Sequence, residues 1–516
     1  MEVEGLVPKQ NSEIKSGFTR WGAFAVELNR VNWIALPMIV VTVSQFLLRV
    51  SPMFMLGHLD ELSLSSASIA TSLCNVTGFS VVFGMASALE TLCGQAYGAE
   101  QYKKVGTFTC GAILCLFLVC LPVSLLFILT EKLLLLTGQD PLISAEAGKF
   151  AIQLIPTLFP YAILQCLVRY LQCQSLILPM VWSSLASLCF QLPLCWAFVF
   201  KLNLGNAGAA FSIGISYWFN VILLVLYVKY SPACNKTRVS FSTDVFVTVM
   251  EFFQLAIPSA AMVWCQCLQS GVVVVRANTT AVRSVAKSTN RDISAFNMVY
   301  LICDAAAVND SKIQIMHISK SLIFSACSFT ISYLHYHVPY SFGAAASTLI
   351  SNKLGAGKPE AARVTVHAVL ALSIAEFLIA SITIVICGHI LGYAFSEEKE
   401  IVDYVQKMAP FLGLSIIMDG LQAVLSGVAR GSGWQNIGAY VNLGAYYLVG
   451  TPVALLLAFV LHLKGQGLWS GLLAEFVRLI PNDYTLPGFH RPWKHDIGFS
   501  SGKFPAKTSP FASMEF

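Results

Sequence analysis

Apolar residues run along this chain in long uninterrupted blocks with polar residues gathered between them, a pattern with no strand-like alternation. A helix crossing the hydrocarbon of a bilayer needs about 20 mainly apolar residues, because each adds about 1.5 Å and lipid offers the backbone no hydrogen-bond partner. Eleven segments pass that test: Trp33 to Val50, Ser66 to Leu92, Thr107 to Leu129, Phe150 to Leu167, Leu178 to Val199, Ala207 to Val228, Phe252 to Val275, Ser321 to Ile350, Val364 to Ile390, Tyr404 to Val428 and Ile437 to Leu461. A twelfth, Gly467 to Ile480, carries Glu475 and Arg478 and meets Pro481-Asn482-Asp483 after 14 residues, so it is predicted to be truncated.

The pattern also repeats. Ala35-Leu36-Pro37 opens the first span and Ala256-Ile257-Pro258 the seventh; Phe83-Gly84 followed by Gly98-Ala99 matches Phe342-Gly343 followed by Gly355-Ala356. Pro193 and Gly208 stand at the same separation as Pro452 and Gly467. Six helices duplicated keep one orientation, because six is even. The predicted fold is an all-α integral membrane protein of about 12 transmembrane helices, in two six-helix lobes related by a pseudo-two-fold axis along the membrane normal. Residues 1–32 are a cytoplasmic tail, 33–228 the N-lobe, 229–251 a cytoplasmic linker, 252–480 the C-lobe and 481–516 an irregular tail. Pro37 precedes Gly98 by 61 positions and Pro258 precedes Gly355 by 97, so about 36 extra residues enter the C-lobe, at about 276–320.

Composition agrees with the pattern. Of 516 residues 56% are hydrophobic and 11% charged, against about 25% charged in a soluble domain, which excludes a soluble globular protein. The net charge of +5 contains no block of like charges, so no nucleic-acid arm is expected. Lys and Arg gather in the N-terminal stretch and the loops on the same side of the membrane, among them Lys103, Lys104, Arg169, Lys353, Lys358, Arg363 and Arg430, and this bias assigns that side to the cytoplasm. One loop disobeys: Arg276, Arg283, Lys287, Arg291, Lys312 and Lys320 follow the seventh span on the outer side. The stretch before Trp33 lacks the apolar core of a cleavable signal. Most cysteines sit singly in apolar runs, as small buried hydrophobes do, and no CxxC pair points to zinc.

An ionisable group inside a span is a functional candidate by default, because burial there is costly. Asp419 lies near mid-membrane with Ser415 one turn back and Gln422 one turn on, and burial away from cations favours the protonated form of a carboxylate. It is the leading proton-coupling candidate. Glu90 lies nearer the cytoplasmic boundary, where snorkelling makes a structural or gating role the expectation; Glu376 is deeper but has apolar neighbours. Gln422, Tyr217 and Tyr446 are candidate substrate contacts, with interface anchoring the competing reading of the tyrosines. His335-Tyr336-His337 has ligand-like spacing, yet residues two apart on a helix face different ways, and no metal is expected. Gly355-Ala356-Gly357-Lys358 fails the phosphate-loop pattern, and no HExxH or GxSxG motif occurs, so no cofactor and no enzymatic reaction are expected.

Several stretches resemble the plant-type multidrug and toxic compound extrusion (MATE) transporters, the plant detoxification proteins: GHLDELSLSSASIATS from Gly57, GMASALETLCGQAYGAEQY from Gly84, NAGAAFSIGISYW from Asn206, HYHVPYSFGAAASTLISNKLGAGKPEAARV from His335 and MDGLQAVLSGVARGSGWQ from Met418. The resemblance implies a two-lobed antiporter of the plasma or vacuolar membrane that expels organic cations, xenobiotics or secondary metabolites in exchange for protons. It also implies an acid on the seventh helix facing the acid matched by Asp419, but here Val263-Trp264-Cys265-Gln266-Cys267-Leu268-Gln269 has none, and Asp60 replaces a common glycine. Two alternatives stand beside it: an impaired product of a disrupted gene model of that family, and a lipid-linked sugar flippase, disfavoured by the scarcity of Lys and Arg inside the spans.

Overall fold

The computed structural model describes residues 20–59, 61–136, 138–239, 245, 248–265, 334–395, 399–450, 452–453 and 456–457. The predicted extra loop at 276–320, the twelfth segment and the C-terminal tail lie outside the described residues. Those described form long helices: α1 (Arg20–Leu56), α2 (Leu62–Gly98), α3 (Tyr102–Ile128), α4 (Pro141–Cys173), α5 (Leu178–Lys201), α6 (Gly205–Tyr230), α7 (Thr248–Cys265), α8 (residues 334–355), α9 (Pro359–Phe395), α10 (Lys399–Ser432) and α11 (Gln435–Leu443). Nine of them are long and apolar enough to cross a membrane: α1 to α7, α9 and α10.

Most of these helices outrun the apolar segments that announce them, because hydropathy registers the immersed part while the helix continues into polar surroundings. The fourth apolar run ends at Leu167 but α4 extends to Cys173; its start is fixed by Asp140, whose carboxylate accepts from the amides of Leu142 (2.8 Å) and Ile143 (3.3 Å) ahead of Pro141. Residues 20–32, given to the tail by hydropathy, are instead the first turns of α1. They dock because Lys353 Nζ reaches Glu27 Oε2 at 2.5 Å and Thr365 Oγ1 donates to the same oxygen at 3.1 Å, tying the start of α1 to α8 and α9. The described start of the linker folds back on α6: Arg238 caps the end of that helix by donating to the carbonyls of Val228 and Ser231, each at 3.1 Å.

α2 is not a uniform rod. It carries a π-helical turn at Asn75–Phe79 and is interrupted at Ser87, whose hydroxyl donates to the Gly84 carbonyl at 2.6 Å. Glu90 therefore sits in the first turn of the segment Ala88–Gly98, its amide donating to the Ser87 carbonyl at 3.0 Å.

The lobes meet at the end that the charge bias assigns to the cytoplasm, called here the inner end. There α2 and α8 come together backbone to backbone: a Cβ on Gly98 would collide with the Asn352 carbonyl, and one on Gly355 with the Gln95 carbonyl. Small residues permit this approach as they do between membrane helices generally. Inside the C-lobe, Gly343 of α8 and Gly427 of α10 touch in the same way. Large apolar residues such as Leu121, Leu125, Trp182, Ile379 and Ile386 remain exposed on the outside of the bundle, as expected of a surface wetted by lipid chains.

Candidate functional site

Besides the Glu27–Lys353 pair, two groups of ionisable side chains stand out in the described part of the bundle, one buried and one half-buried. The first lies between the lobes near the inner end. Glu90 Oε2 accepts from Arg430 Nε of α10 at 2.9 Å, and Glu90 Oε1 stands 3.7 Å from Arg169 Nε of α4. All three are buried, at 3%, 4% and 2% exposure for Glu90, Arg430 and Arg169, so the snorkelling expected of Glu90 does not occur. Arg169 also donates to Gln165 and, at 3.2 Å, to the hydroxyl of Tyr340 on α8, and its guanidinium covers the Phe83 ring at 4.6 Å. Thr91, beside Glu90, donates to the Arg430 carbonyl and accepts from Gln435. Gln172 of α4 donates to the Ala344 carbonyl and to Thr348, both at 3.1 Å, and Asn352 of α8 returns a bond to the Cys173 carbonyl at 2.9 Å.

Arg169 and Arg430 correct the sequence reading, which counts both among the inner loops. They are interior residues because α4 and α10 run on past their apolar segments. The repeat carries the signal for them: each arginine stands five positions before a glutamine, Gln174 or Gln435.

The second cluster is in the C-lobe. Asp419, half-buried on α10, accepts a hydrogen bond from Ser415 at 3.2 Å, and Gln422 on the same stripe is buried and donates to Ser426 at 3.4 Å. Glu376 of α9 is not surrounded by apolar groups alone, as its sequence neighbours suggest: His335 Nε2 of α8 meets its Oε1 at 2.9 Å. Asp419 and the His335–Glu376 pair belong to the same lobe. His337 turns instead toward α1, its ring 4.9 Å from that of Phe46, so the two histidines face different ways. No group of three metal-ligating side chains occurs among the described residues.

The aromatic candidates separate. Tyr217 is 2% exposed and packs on Tyr161, ring centres 5.6 Å apart, within the N-lobe core and not beside Asp419. The side chain of Tyr446 lies outside the described residues, in a π-helical turn Gly444–Gly450.

A search of family profiles matches the MatE family twice, at residues 37–197 and 323–456, one match in each lobe. Protein DETOXIFICATION 14 of Arabidopsis thaliana is 47% identical over 469 residues, covering 90% of this chain and 88% of that protein. The chain belongs to the MATE family. Protein DETOXIFICATION 12 of the same plant is 46% identical over 458 residues, 89% of this chain and 88% of that protein. Among solved structures, the eukaryotic MATE transporter AtDTX14 superimposes with a TM-score of 0.80 at 44% identity over 92% of this chain and 97% of that one. An outward-facing multidrug resistance MATE transporter of the MOP superfamily shares the fold alone, with a TM-score of 0.72 at 12% identity over 89% of this chain and 94% of its own. The chain is thus a multi-pass membrane transporter with the MATE fold, and its relatives are transporters rather than enzymes. The second profile match begins at residue 323, well past Pro258, whereas the first begins at Pro37 itself.

Proposed function

We propose that this MATE transporter exports organic cations, xenobiotics or plant secondary metabolites across the plasma or vacuolar membrane in exchange for protons, with Asp419 as the group that exchanges them. The observation that carries this reading is the setting of Asp419: a half-buried carboxylate whose hydrogen bond comes from the neutral Ser415 and which pairs with no Lys or Arg among the described residues. Such an acid is free to hold either a proton or an organic cation, and a site that holds one or the other in turn produces exchange. Glu376 and His335, paired at 2.9 Å in the same lobe, supply a further proton donor and acceptor. Gln422 supplies a polar contact for substrate beside the carboxylate.

A rival reading is that coupling is weak or absent. It is favoured by the described end of α7, Val263-Trp264-Cys265, which presents no acid toward the C-lobe, and by the late start of the second MatE match. One experiment separates the two. The purified chain in liposomes loaded with a fluorescent organic cation should release the dye when the outer medium is acidified and stop when a protonophore collapses the gradient. Release indifferent to the gradient would overturn proton exchange and leave the rival.

A further inference from the structure

The exchange proposed at Asp419 makes no use of Glu90 and the two arginines, which are gathered between the lobes near the inner end. We propose that Glu90 acts as the latch between the lobes, and that the surplus positive charge of the Glu90–Arg169–Arg430 cluster bars cations from the inner end while it is shut. The proposal rests on the transporter reading but not on Asp419 as the proton site.

The repeat explains the cluster's odd charge. Arg169 and Arg430 occupy the same position in their lobes, five residues before Gln174 and Gln435. Counting back eight positions from Gly98 gives Glu90, and from Gly355 gives Ser347, so the arginines come as a pair and the acid does not. Two guanidiniums and one carboxylate leave an excess of one positive charge among the described residues. Arginine does not lose its proton under any condition a cell offers, so this charge is permanent. The helices make it tolerable: Arg430 lies in the last turn of α10 and Arg169 one turn from the end of α4, at the negative ends of their dipoles. A fixed positive group at a constriction is an electrostatic barrier to protons and other cations.

The same geometry makes a latch that can open. Glu90 and Arg169 belong to the N-lobe and Arg430 to the C-lobe, so of the two ion pairs the 2.9 Å one crosses, beside the Arg169–Tyr340 and Thr91–Arg430 hydrogen bonds. When the lobes part, Glu90 keeps Arg169, already 3.7 Å away, and Arg430 is released into the widening gap. Neither side is left with a buried acid lacking a cation, which is the costly outcome of breaking an interior ion pair. Slack for this exchange is present: Arg430 Nη2, Arg169 Nε and Ser347 Oγ are buried without hydrogen-bond partners among the described residues.

The test uses the full chain purified and reconstituted, as Glu90→Gln, Arg430→Gln and the double variant. Each single change should lower the thermal midpoint, and the double should lower it no further than the worse single, because the pair is lost only once. Arg430→Gln should raise passive proton entry, read by an internal pH dye without substrate, at least about fivefold. Glu90→Gln should slow exchange while leaving the pH midpoint of the remaining exchange in place. If a single variant is not recovered, Glu90→Asp replaces it: the charge is kept, the reach shortened, and leak should rise at an unchanged pH midpoint. Additive stability losses, a proton-tight Arg430→Gln or a displaced pH midpoint on changing Glu90 would each overturn the proposal, whether or not Asp419 proves to carry protons.

Discussion

Two acids inside this bundle, the buried Glu90 and the half-buried Asp419, are partnered in opposite ways. Glu90 is held by two guanidiniums from two lobes, Arg430 at 2.9 Å and Arg169 at 3.7 Å. Asp419 has the Ser415 hydroxyl as its hydrogen-bond donor, with the nearest basic partner, His335, already engaged by Glu376. The more deeply buried of the two is the one that is ion-paired, so burial alone says little about what an intramembrane acid does. The partner decides, and partners come from other helices.

The comparison can be broken most decisively at Asp419. Asp419→Asn should insert normally yet lose gradient-driven efflux by about a hundredfold or more, since the amide cannot take up a proton; efflux at the original rate and equal protein level would remove Asp419 from its proposed role. Next in size is the seam beside Glu90. Gly98→Val and Gly355→Val each drive a side chain into a facing backbone and should cost about 1–3 kcal/mol, read as a lower thermal midpoint. Because the two contacts are equivalent, their effects should be similar, and a large inequality would argue against a symmetric seam. A smaller change is expected for Glu376→Gln, which breaks a half-exposed pair with His335: stability should fall by less than about 1 kcal/mol while the pH profile of efflux shifts. An unshifted profile would detach Glu376 and His335 from the proton site. The smallest effect belongs to Tyr217→Phe. With its ring packed on Tyr161, it should transport each substrate as the parent does, and an altered substrate range would restore Tyr217 as a contact.

Much of the architecture is legible in the sequence because the bilayer imposes a simple rule: apolar runs of sufficient length must be helices. The duplicated Ala-x-Pro and Gly-Ala marks then give the two lobes without any structure. Asp419 is legible for the same reason, being an acid near mid-membrane with polar residues at helical spacing. Arg169 and Arg430 are not, since a window of hydropathy stops at the first charge and reads a basic residue there as a loop or a snorkelling end, whatever the helix does next. The His335–Glu376 pair is hidden for another reason. Its members are 41 positions apart on different helices, and spacing along one helix cannot reveal a partner on the next.

The seam between α2 and α8 has the form of a contact between identical subunits: Gly98 meets the residue three positions before Gly355, and Gly355 meets the residue three positions before Gly98. In a true homodimer such a two-fold interface can hold its groups only in pairs, so two arginines would face either two acids or none. A single chain that contains both halves escapes that arithmetic. It can write glutamate at position 90 and serine at 347, and so build at its own symmetry axis an odd charge that no pair of identical subunits could place there symmetrically.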